Sequence, residues 1–360
     1  MKIGILTFHE IYNPGAFLQT YGTQALVRRL GHESEVIDYN PPSHRYHPLT
    51  HVRKLGLRFI LRRKQWMDAY LRDKAFAPTR RCKLTLSPNF RERTEIANVF
   101  YDAVLVGADI VWNFKEKRLG QDPVYFGEGL NTEKLVAFAP SCGNCSASDP
   151  IPEYVVSGLK RFSSVAVRDR NTADVVCAAL DYRPKVICDP SFHLLNELGH
   201  SEKKTTDRDY ILVYLLPGHT SSSLISDIRK LSISTGIPVH AVYYRQKWAD
   251  RNIMSLNPFQ WLEKIRGARY VFTNTFHGTI FSAFLRSDFV IEMNDLIREK
   301  TLDMVLGCDL KKRLYNGEYP VPELLKRSVD FDRVHRFFRA QARDAEMFLR
   351  EALGVSTSDK

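Results

Sequence analysis

Short apolar runs of strand length alternate with segments of helical periodicity from the first residues onward. Lys2–Phe8 and Glu35–Tyr39 are predicted strands, and the apolar residues between them recur at helical spacing up to Gly31. Strand, loop, helix and strand within 39 residues predict the parallel βαβ unit of a doubly wound sheet. Such strands carry ligand loops at their carboxyl ends, so the loop from His9 to Gly15 is a predicted ligand loop.

The same pattern continues through two halves of the chain. The predicted strands of the first half are Ala103–Val106, Leu135–Ala139, Ser164–Val167 and Val186–Cys188. The second half is predicted as strand Tyr210–Leu216, helix Ser222–Ser234, strand Pro238–Tyr243, helix Pro258–Ile265, strand Tyr270–Thr273, helix Thr279–Leu285 and strand Phe289–Ile291. The fold class is therefore α/β with two doubly wound domains. We place them at 1–200, with a basic insertion at about 45–95, and at 208–328, joined by the polar stretch 197–209 and followed by a C-terminal helix at 330–354.

Composition is that of a globular protein, because 44% of the 360 residues are hydrophobic and 26% are charged. No apolar run approaches the roughly 18 residues that cross a bilayer, and the N-terminus lacks a signal-peptide layout, so we predict a cytoplasmic protein. Six scattered cysteines fit a reducing compartment. Cys142 and Cys145 are spaced for redox or zinc chemistry, but no second ligand pair accompanies them, so we predict a tight turn and no metal site.

Positive charge is concentrated in one segment. The segment from Arg45 to Arg93 contains fourteen Lys and Arg residues but only three acidic residues, and the remainder of the chain has no net charge. Apolar residues are interspersed with the cations of residues 52–72, as in a basic amphipathic helix that lies on anionic lipid, although a solvated face of a domain helix explains the pattern equally well. No nucleic-acid-binding motif accompanies the charge, so we predict no nucleic-acid partner.

His277 lies in the sequence Thr273–Thr279, where a predicted strand passes into a helix. Such a junction offers backbone N–H groups and the positive end of a helix dipole, which suit phosphate or carboxylate. A histidine there can exchange a proton near neutral pH, or it can simply hydrogen-bond the turn.

Three further strand or helix ends carry polar groups. Arg168 follows a buried strand and suits bidentate capture of an anion, or it pairs with Asp169 or Asp189. Asp109 follows another strand and can act as a base for a hydroxyl or cap the next helix, and Asn113 follows it in the same loop. The loop containing Asn13 and Gly15 offers backbone groups to a ligand, without a Walker or GxGxxG pattern.

Taken together and in order, these stretches resemble the polysaccharide pyruvyl transferase family. The resemblance rests on GILTFHEIYNPGAFLQTYG, VGADIVWN, FAPSCG, SVAVRDR, ICDPSF and TNTFHGTIFSAF, and it covers about residues 1–310. It implies two Rossmann-like domains in a GT-B-like architecture with the site in the cleft between them. It also implies an enzyme that transfers the enolpyruvyl unit of phosphoenolpyruvate to sugar hydroxyls as a cyclic ketal, with no cofactor beyond that donor.

The resemblance also implies roles for particular residues. His277 and Arg168 match residues at the phosphoenolpyruvate site of the family, and some members carry Arg where this chain has Thr275. Arg298 and Lys300 are the predicted replacements for that cation. Proton donation needs an acid and anion clamps, so we assign His277 as acid or phosphate ligand, Arg168 as clamp, and Gly278 and Thr279 as further anion contacts. Asp109 and Asn13 are assigned to the acceptor hydroxyls, with Gly15 and Asn113 as further substrate contacts.

Two other functions remain compatible with the sequence. One is a nucleotide-sugar-dependent GT-B glycosyltransferase, since a shared fold does not fix the reaction. The other is a non-catalytic binding subunit at the membrane. The predicted partners are phosphoenolpyruvate, a sugar or lipid-linked oligosaccharide acceptor, and an anionic membrane surface at the inner face of the membrane, reached through residues 45–94.

Overall fold

The computed structural model describes residues 1–42, 63–116, 121–198, 209–294, 298–308 and 310–355, without the side chains of 63–66, 299–300 and 302–303. Contacts divide the chain into two compact units. The first comprises the described parts of Met1–Gly56, Pro78–Leu194 and Arg339–Lys360, and the second those of Leu57–Ala77 and Leu195–Phe338. Most of the predicted basic insertion, 43–62, and most of the predicted linker, 199–208, lie outside the described residues.

The first unit contains a parallel six-stranded sheet in the order β2-β1-β3-β4-β5-β6. The strands are β1 (Lys2–Leu6), β2 (Glu33–Val36), β3 (Phe100–Val106), β4 (Asn131–Phe138), β5 (Ser164–Val167) and β6 (Lys185–Val186). Its helices are α1 (Pro14–Arg29), α2 (Arg63–Lys83, whose last turns belong to this unit), α3 (Arg93–Ala97), α4 (Glu153–Leu159) and α5 (Arg170–Leu180), with short 3₁₀ turns at Pro123–Phe126 and Pro190–Leu194. The inner strands β1, β3, β4 and β5 run into apolar, buried residues, as strands covered on both faces do, whereas the edge strands β2 and β6 contain polar and exposed residues.

The second unit contains another parallel six-stranded sheet, in the order β12-β11-β10-β7-β8-β9. The strands are β7 (Ile211–Tyr214), β8 (Val239–Val242), β9 (Arg251–Ile253), β10 (Tyr270–Thr273), β11 (Phe289–Glu292) and β12 (Leu314–Tyr315). The helices are α6 (Leu195–Leu198), α7 (Ser222–Thr235), α8 (Pro258–Gly267), α9 (Phe276–Phe284), α10 (Arg298–Gly307), α11 (Val321–Lys326) and the start of α12 (Phe331–Leu353), with a 3₁₀ turn at Leu310–Arg313. Two doubly wound parallel sheets confirm the predicted α/β class.

This division assigns one part of α2 and of α12 to each unit. The bounds of the units therefore differ from the predicted domain bounds. Residues of α2 up to Ala77 belong to the second unit, where Phe76 packs edge-on against Tyr243 with 5.9 Å between ring centroids. In α12, Phe338 packs on Phe284 of the second unit, and Phe348 stacks on Phe138 of the first. No helix in the described part of the chain is long and apolar enough to cross a membrane.

Each sheet has one switch point, a pair of neighbouring strands whose connections to the next strands run in opposite directions along the sheet. The loops that follow these two strands therefore leave a crevice at their carboxyl ends. In the first unit it lies between β1 and β3, and in the second between β7 and β10. Ligands of open α/β sheets bind outside the carboxyl ends of the strands at such points. The residues just after β1, β3, β7 and β10 are therefore where chemistry is expected.

Candidate active site

His277 stands in the first turn of α9, directly after the carboxyl end of β10. The helix begins at Phe276, three residues before the predicted start at Thr279, because Thr275 acts as its N-cap. The Thr275 hydroxyl accepts the N–H of Gly278 at 3.0 Å and lies 2.9 Å from the Thr273 hydroxyl. The position where some family members carry Arg is thus used here to cap the helix.

The ring of His277 is nearly enclosed, with 9% of the residue exposed. It lies between Phe276, at 5.1 Å between centroids, and Phe281, at 6.4 Å. Gly278 allows the turn to close, since a Cβ there would lie 2.1 Å from the Thr273 hydroxyl oxygen. The hydroxyl of Thr279 donates to the carbonyl of Thr275 at 3.0 Å, so Gly278 and Thr279 both use polar groups within the turn, and their predicted anion contacts remain predictions.

Asn274 lies within the sequence motif around His277, but its role is apparent only in the structure. Its side chain is fully buried at the switch point of the second sheet. Its Oδ1 accepts the N–H of Leu216 at 2.7 Å, and its Nδ2 donates to the carbonyl of His219 and the hydroxyl of Thr220, both at 3.0 Å. Asn274 therefore fixes the loop after β7 against the end of β10, next to His277.

Arg298 begins α10 beyond the end of β11, with its side chain exposed. Its backbone N–H donates to the carbonyl of Asn294 at 3.0 Å, and the Asn294 amide donates to the carbonyl of Asn274 at 2.9 Å. This chain of bonds connects Arg298 to the same end of the second sheet as His277. The side chain of Lys300 lies outside the described residues.

Asp109 occupies the switch point of the first unit. The hydroxyl of Thr7, which follows β1, donates to the carbonyl of Ala108 at 3.3 Å and so joins the ends of β1 and β3. Asp109 has a φ of 64°, in the left-handed region, and its Oδ1 accepts the N–H of Ile110 at 2.8 Å. It stands in a turn and caps no helix, which removes the alternative that the sequence left open for it.

Arg168, directly after β5, is buried and paired with carboxylates. Its Nη1 donates to Asp189 Oδ2 at 2.9 Å, and its Nη2 lies 3.9 Å from Asp109 Oδ1. Burial disfavours the charge, but the carboxylates of Asp189, Asp109 and Asp169 outweigh it and raise the pKa of Arg168 above its usual value. The ion pair with Asp189, one of the two partners considered from sequence, is thus present, and anion capture by Arg168 remains a prediction.

The other residues of the first unit that are predicted to contact substrate form hydrogen bonds within their own loops. Asn13 is the N-cap of α1, and its Oδ1 accepts the N–H groups of Gly15 at 2.9 Å and Ala16 at 3.4 Å. Asn113 accepts the N–H of Lys115 at 3.1 Å and donates to the side chain of Asn144 at 3.0 Å. Substrate contacts by Asn13, Gly15 and Asn113 therefore remain predictions without added support.

All six cysteines are free thiols, and Gly143, within the Cys142 to Cys145 turn, has a φ of 64°.

A cluster at the ends of β1 and β2 was missed by the sequence reasoning. His9 Nε2 lies 2.9 Å from Asp38 Oδ1, and Glu10 pairs with Arg80 at 2.8 Å. Burial opposes the negative charge of Asp38, but hydrogen bonds from His9 and Asn89 and the charge of Arg80 leave its pKa below the usual value. The possible metal-ligand atoms of His9, Glu10 and Asp38 lie within 4.8 Å of one another, but the contacts just described already engage these three side chains, and we assign no metal there.

Comparisons with known proteins identify the fold and the family of this chain. Among solved structures, the UDP-GlcNAc 2-epimerase of Methanocaldococcus jannaschii aligns with a TM-score of 0.54 at 11% identity, covering 97% of this chain and 99% of that one. A Listeria monocytogenes protein assigned as a UDP-N-acetylglucosamine 2-epimerase aligns with a TM-score of 0.51 at 11% identity, covering 100% and 98%. At such identities the likeness concerns the fold alone, and it supports the predicted GT-B-like pair of Rossmann-like domains.

No match was found among curated protein sequences. The family model for polysaccharide pyruvyl transferase matches residues 13–286, which is well over half of the chain. The matched range includes every stretch from Asn13 to His277 discussed above, so the resemblance read from the motifs is confirmed. This chain belongs to the polysaccharide pyruvyl transferase family.

Proposed function

We propose that this protein transfers the pyruvate unit of phosphoenolpyruvate to hydroxyls of a sugar, closing a cyclic ketal, in the synthesis of a cell-surface polysaccharide or glycoconjugate. The observation that carries the proposal is the placement of His277, in a chain of this family, in the first turn of a helix at a sheet switch point. An anionic donor that must be protonated needs a positive helix end and a proton-carrying group, and this turn supplies both.

The reaction balances without any further reactant. A proton adds to the methylene carbon of phosphoenolpyruvate, and the oxygen of one sugar hydroxyl bonds to the adjacent carbon that bears the phosphate. The bond from that carbon to the phosphate oxygen breaks, inorganic phosphate leaves, and a second hydroxyl oxygen takes its place. Of the two hydroxyl protons, one replaces the proton spent on the methyl group and the other leaves with phosphate. General acid catalysis and anion binding are the chemistry required, so the proposal names phosphoenolpyruvate as donor and no cofactor.

We assign the donor side to the second unit. His277 supplies the proton or binds the leaving phosphate, and the positive end of α9 at Gly278 and Thr279 favours the anion. Thr275 caps this helix, so the cation that some family members place there comes from elsewhere. Arg298, which hydrogen bonds connect to this end of the sheet, and Lys300 after it are the candidates.

We assign the acceptor side to the first unit. Asp109 is a carboxylate at the switch point and can accept the proton of a sugar hydroxyl. Asn13, Gly15 and Asn113 are secondary candidates, because the polar groups of Asn13 and Asn113 serve their own loops.

The decisive experiment is phosphate release from phosphoenolpyruvate against a panel of methyl hexosides and lipid-linked oligosaccharides, together with thermal-shift titrations of phosphoenolpyruvate and of nucleotide-sugars. We expect phosphate release that depends on the acceptor, and stabilisation by phosphoenolpyruvate. Stabilisation by nucleotide-sugars alone would instead identify a glycosyltransferase. No response to either donor would favour the non-catalytic binding subunit.

We also propose that the basic segment brings the protein to the anionic inner face of the membrane, where lipid-linked acceptors carry phosphates. In its described part, α2 is held from one side by the paired contacts of Asp68 with Arg245 at 2.9 and 2.6 Å. On its outer side, Met67 is 53% exposed, and the Lys74 ammonium lies 4.8 Å from the centre of the exposed Tyr70 ring. Apolar, aromatic and cationic groups on one exposed face suit a lipid interface.

Vesicle binding tests this membrane proposal. We expect the protein to sediment with phosphatidylglycerol-containing vesicles and not with phosphatidylcholine alone, and to dissociate at high salt because exposed charges are screened. Lys74→Glu with Arg81→Glu should weaken binding at least about tenfold, since each basic residue near such a surface contributes about 1 kcal/mol. The matched pair Lys311→Glu with Arg333→Glu reverses two exposed cations elsewhere and should leave binding unchanged. Binding that ignores salt or responds equally to both pairs would contradict the proposal.

A further inference from the structure

The loop after β7 forms a tight turn at the switch point of the second sheet. Its sequence, Leu216-Pro217-Gly218-His219, has proline and glycine at the two central positions, which is the pattern of a type II turn. The N–H of His219 donates to the carbonyl of Leu216 at 3.2 Å, and Gly218 has the positive φ, 80°, that such a turn requires. Among the described residues beyond its two neighbours, no atom lies within 4 Å of a Cβ placed on Gly218, so the turn borders open space.

Asn274 holds this turn at both ends. Its Oδ1 accepts the N–H of Leu216 at 2.7 Å, and its Nδ2 donates to the carbonyl of His219 at 3.0 Å. Asn274 is fully buried, and it stands shortly before His277 where β10 passes into α9. Since one fixed amide belongs to the loop after β10 and binds the loop after β7, His219 and His277 lie on the two loops that border one crevice of the second unit.

His219 carries the polar side chain of this loop that is left for a ligand. The Thr220 hydroxyl donates to the carbonyl of Leu216 at 3.2 Å, and the Ser221 hydroxyl accepts the N–H of Leu224 at 3.2 Å. The imidazole of His219 is exposed, and in the described part of the chain no hydrogen bond reaches it. Histidine can donate through a ring nitrogen, so this side chain offers a hydrogen-bond donor from a fixed point of the loop.

The charges at this end of the sheet favour an anion near α9. The buried carboxylate of Glu292 accepts the N–H of Ser221 at 3.0 Å, so an acidic group already occupies the start of α7. The first turn of α9 contains no acidic residue, and its N–H groups and dipole favour negative charge. A phosphate has several acceptor oxygens, so it can bind this helix end and a second donor at once.

We propose that His219 is a second histidine of the donor site, and that it donates a hydrogen bond to the phosphate of phosphoenolpyruvate, which lies between the turn and the start of α9. The inference rests on the proposed function. When the bond from the donor carbon to the phosphate oxygen breaks, the electron pair stays on that oxygen, and the imidazole N–H stabilises the charge that the oxygen gains. His277 then remains for the proton that adds to the methylene carbon. Asn274 is a positioning residue, because it holds the loop that carries His219.

A double-mutant cycle tests the role of Asn274. Asn274→Ala releases the turn, so adding His219→Asn to it should weaken phosphoenolpyruvate binding by less than about twofold further. Asn274→Asp, which loses the donor to the carbonyl of His219, serves the same purpose where alanine prevents folding, since both members of that cycle carry the same added charge. A further loss of about tenfold in either background would show that His219 binds phosphate without its anchor, and would contradict a positioning role for Asn274.

Titrations of the purified protein with phosphoenolpyruvate, inorganic phosphate and pyruvate test the contact of His219 itself. His219→Asn should raise the dissociation constants for phosphoenolpyruvate and phosphate about tenfold or more, the usual loss for a hydrogen bond to a charged group, and change that for pyruvate less than about twofold. Its melting temperature should not change, because the exposed ring forms no hydrogen bond within the described protein. His32→Asn is the matched control and should bind all three compounds as the wild type does.

The same titrations separate a failure of this inference from a failure of the proposed function. In His219→Asn, a dissociation constant for phosphoenolpyruvate or phosphate within about threefold of the wild type, or an equal loss for pyruvate, would overturn the inference and leave the proposed function standing. A wild type that binds no phosphoenolpyruvate would refute the proposed function, and the inference with it.

Discussion

His277→Asn should lower the rate of phosphoenolpyruvate-dependent phosphate release by about 10²–10⁴-fold, the usual contribution of a positioned acid or base. The ring is set in the first turn of α9 between Phe276 and Phe281, so its orientation is determined before substrate arrives. Asparagine retains a polar side chain in this turn but cannot donate a proton to the methylene carbon. The rate is measured as acceptor-dependent phosphate release at saturating phosphoenolpyruvate.

Two comparisons make this loss specific. The melting temperature of His277→Asn should stay near that of the wild type, because the cap from Thr275 to Gly278 does not involve the ring. His32→Asn is the matched control, since His32 stands in the turn before β2, at the opposite end of its sheet from the switch point. It should keep the full rate. A His277→Asn rate within about threefold of the wild type would remove this histidine from the mechanism. Weakened phosphoenolpyruvate binding with an unchanged maximal rate would make it a phosphate ligand instead of an acid.

The strands could be predicted from sequence where burial alone defines them. Ser164–Val167 and Tyr270–Thr273 are observed with the bounds expected for short apolar runs between polar residues. The second strand was expected at Glu35–Tyr39 and lies at Glu33–Val36, because it pairs with β1 from Lys2 opposite Glu33 to Ile5 opposite Val36. Ile37 and Tyr39 are buried without extending that ladder. Apolar periodicity reports burial, whereas the ends of a strand depend on the partner with which it hydrogen-bonds.

The place of the candidate site could be predicted, but the roles of its polar residues could not. The junction at His277 follows from a strand, a capping residue and a helix pattern that are all local. Asn274 and Asp38 act on partners 58 and 29 positions away, so their roles appear only once the chain has folded. Asn13 shows the opposite case, because its side chain caps a helix that begins at the next residue. From sequence, such a cap and a ligand contact have the same pattern.

Gly107→Ala should lower the free energy of unfolding by about 3 kcal/mol or more, which corresponds for a chain of 360 residues to a fall in melting temperature of at least about 4 °C. Gly107 follows β3 with a φ of 133°, a conformation that only glycine adopts readily. A Cβ on it would lie 2.2 Å from the carbonyl oxygen of Phe138 and 2.9 Å from the backbone nitrogen of Pro140. These are main-chain atoms where β4 ends, so no side-chain rotation can relieve the contact.

Gly31→Ala is the matched control for this substitution. Gly31 also has a positive φ, of 82°, but nothing lies within 4 Å of a Cβ placed on it, so alanine there costs only the backbone conformation, about 1 kcal/mol. The difference between the two variants isolates the close approach of the β3 and β4 ends. The same approach fixes Asp109 two residues later, so any Gly107→Ala protein that folds should also lose acceptor-dependent turnover while still binding phosphoenolpyruvate. Equal melting temperatures for the two variants would show that the main chain at this end of the sheet shifts easily to accommodate a Cβ. A carboxylate held by a loop that shifts so easily could not be positioned for a sugar hydroxyl.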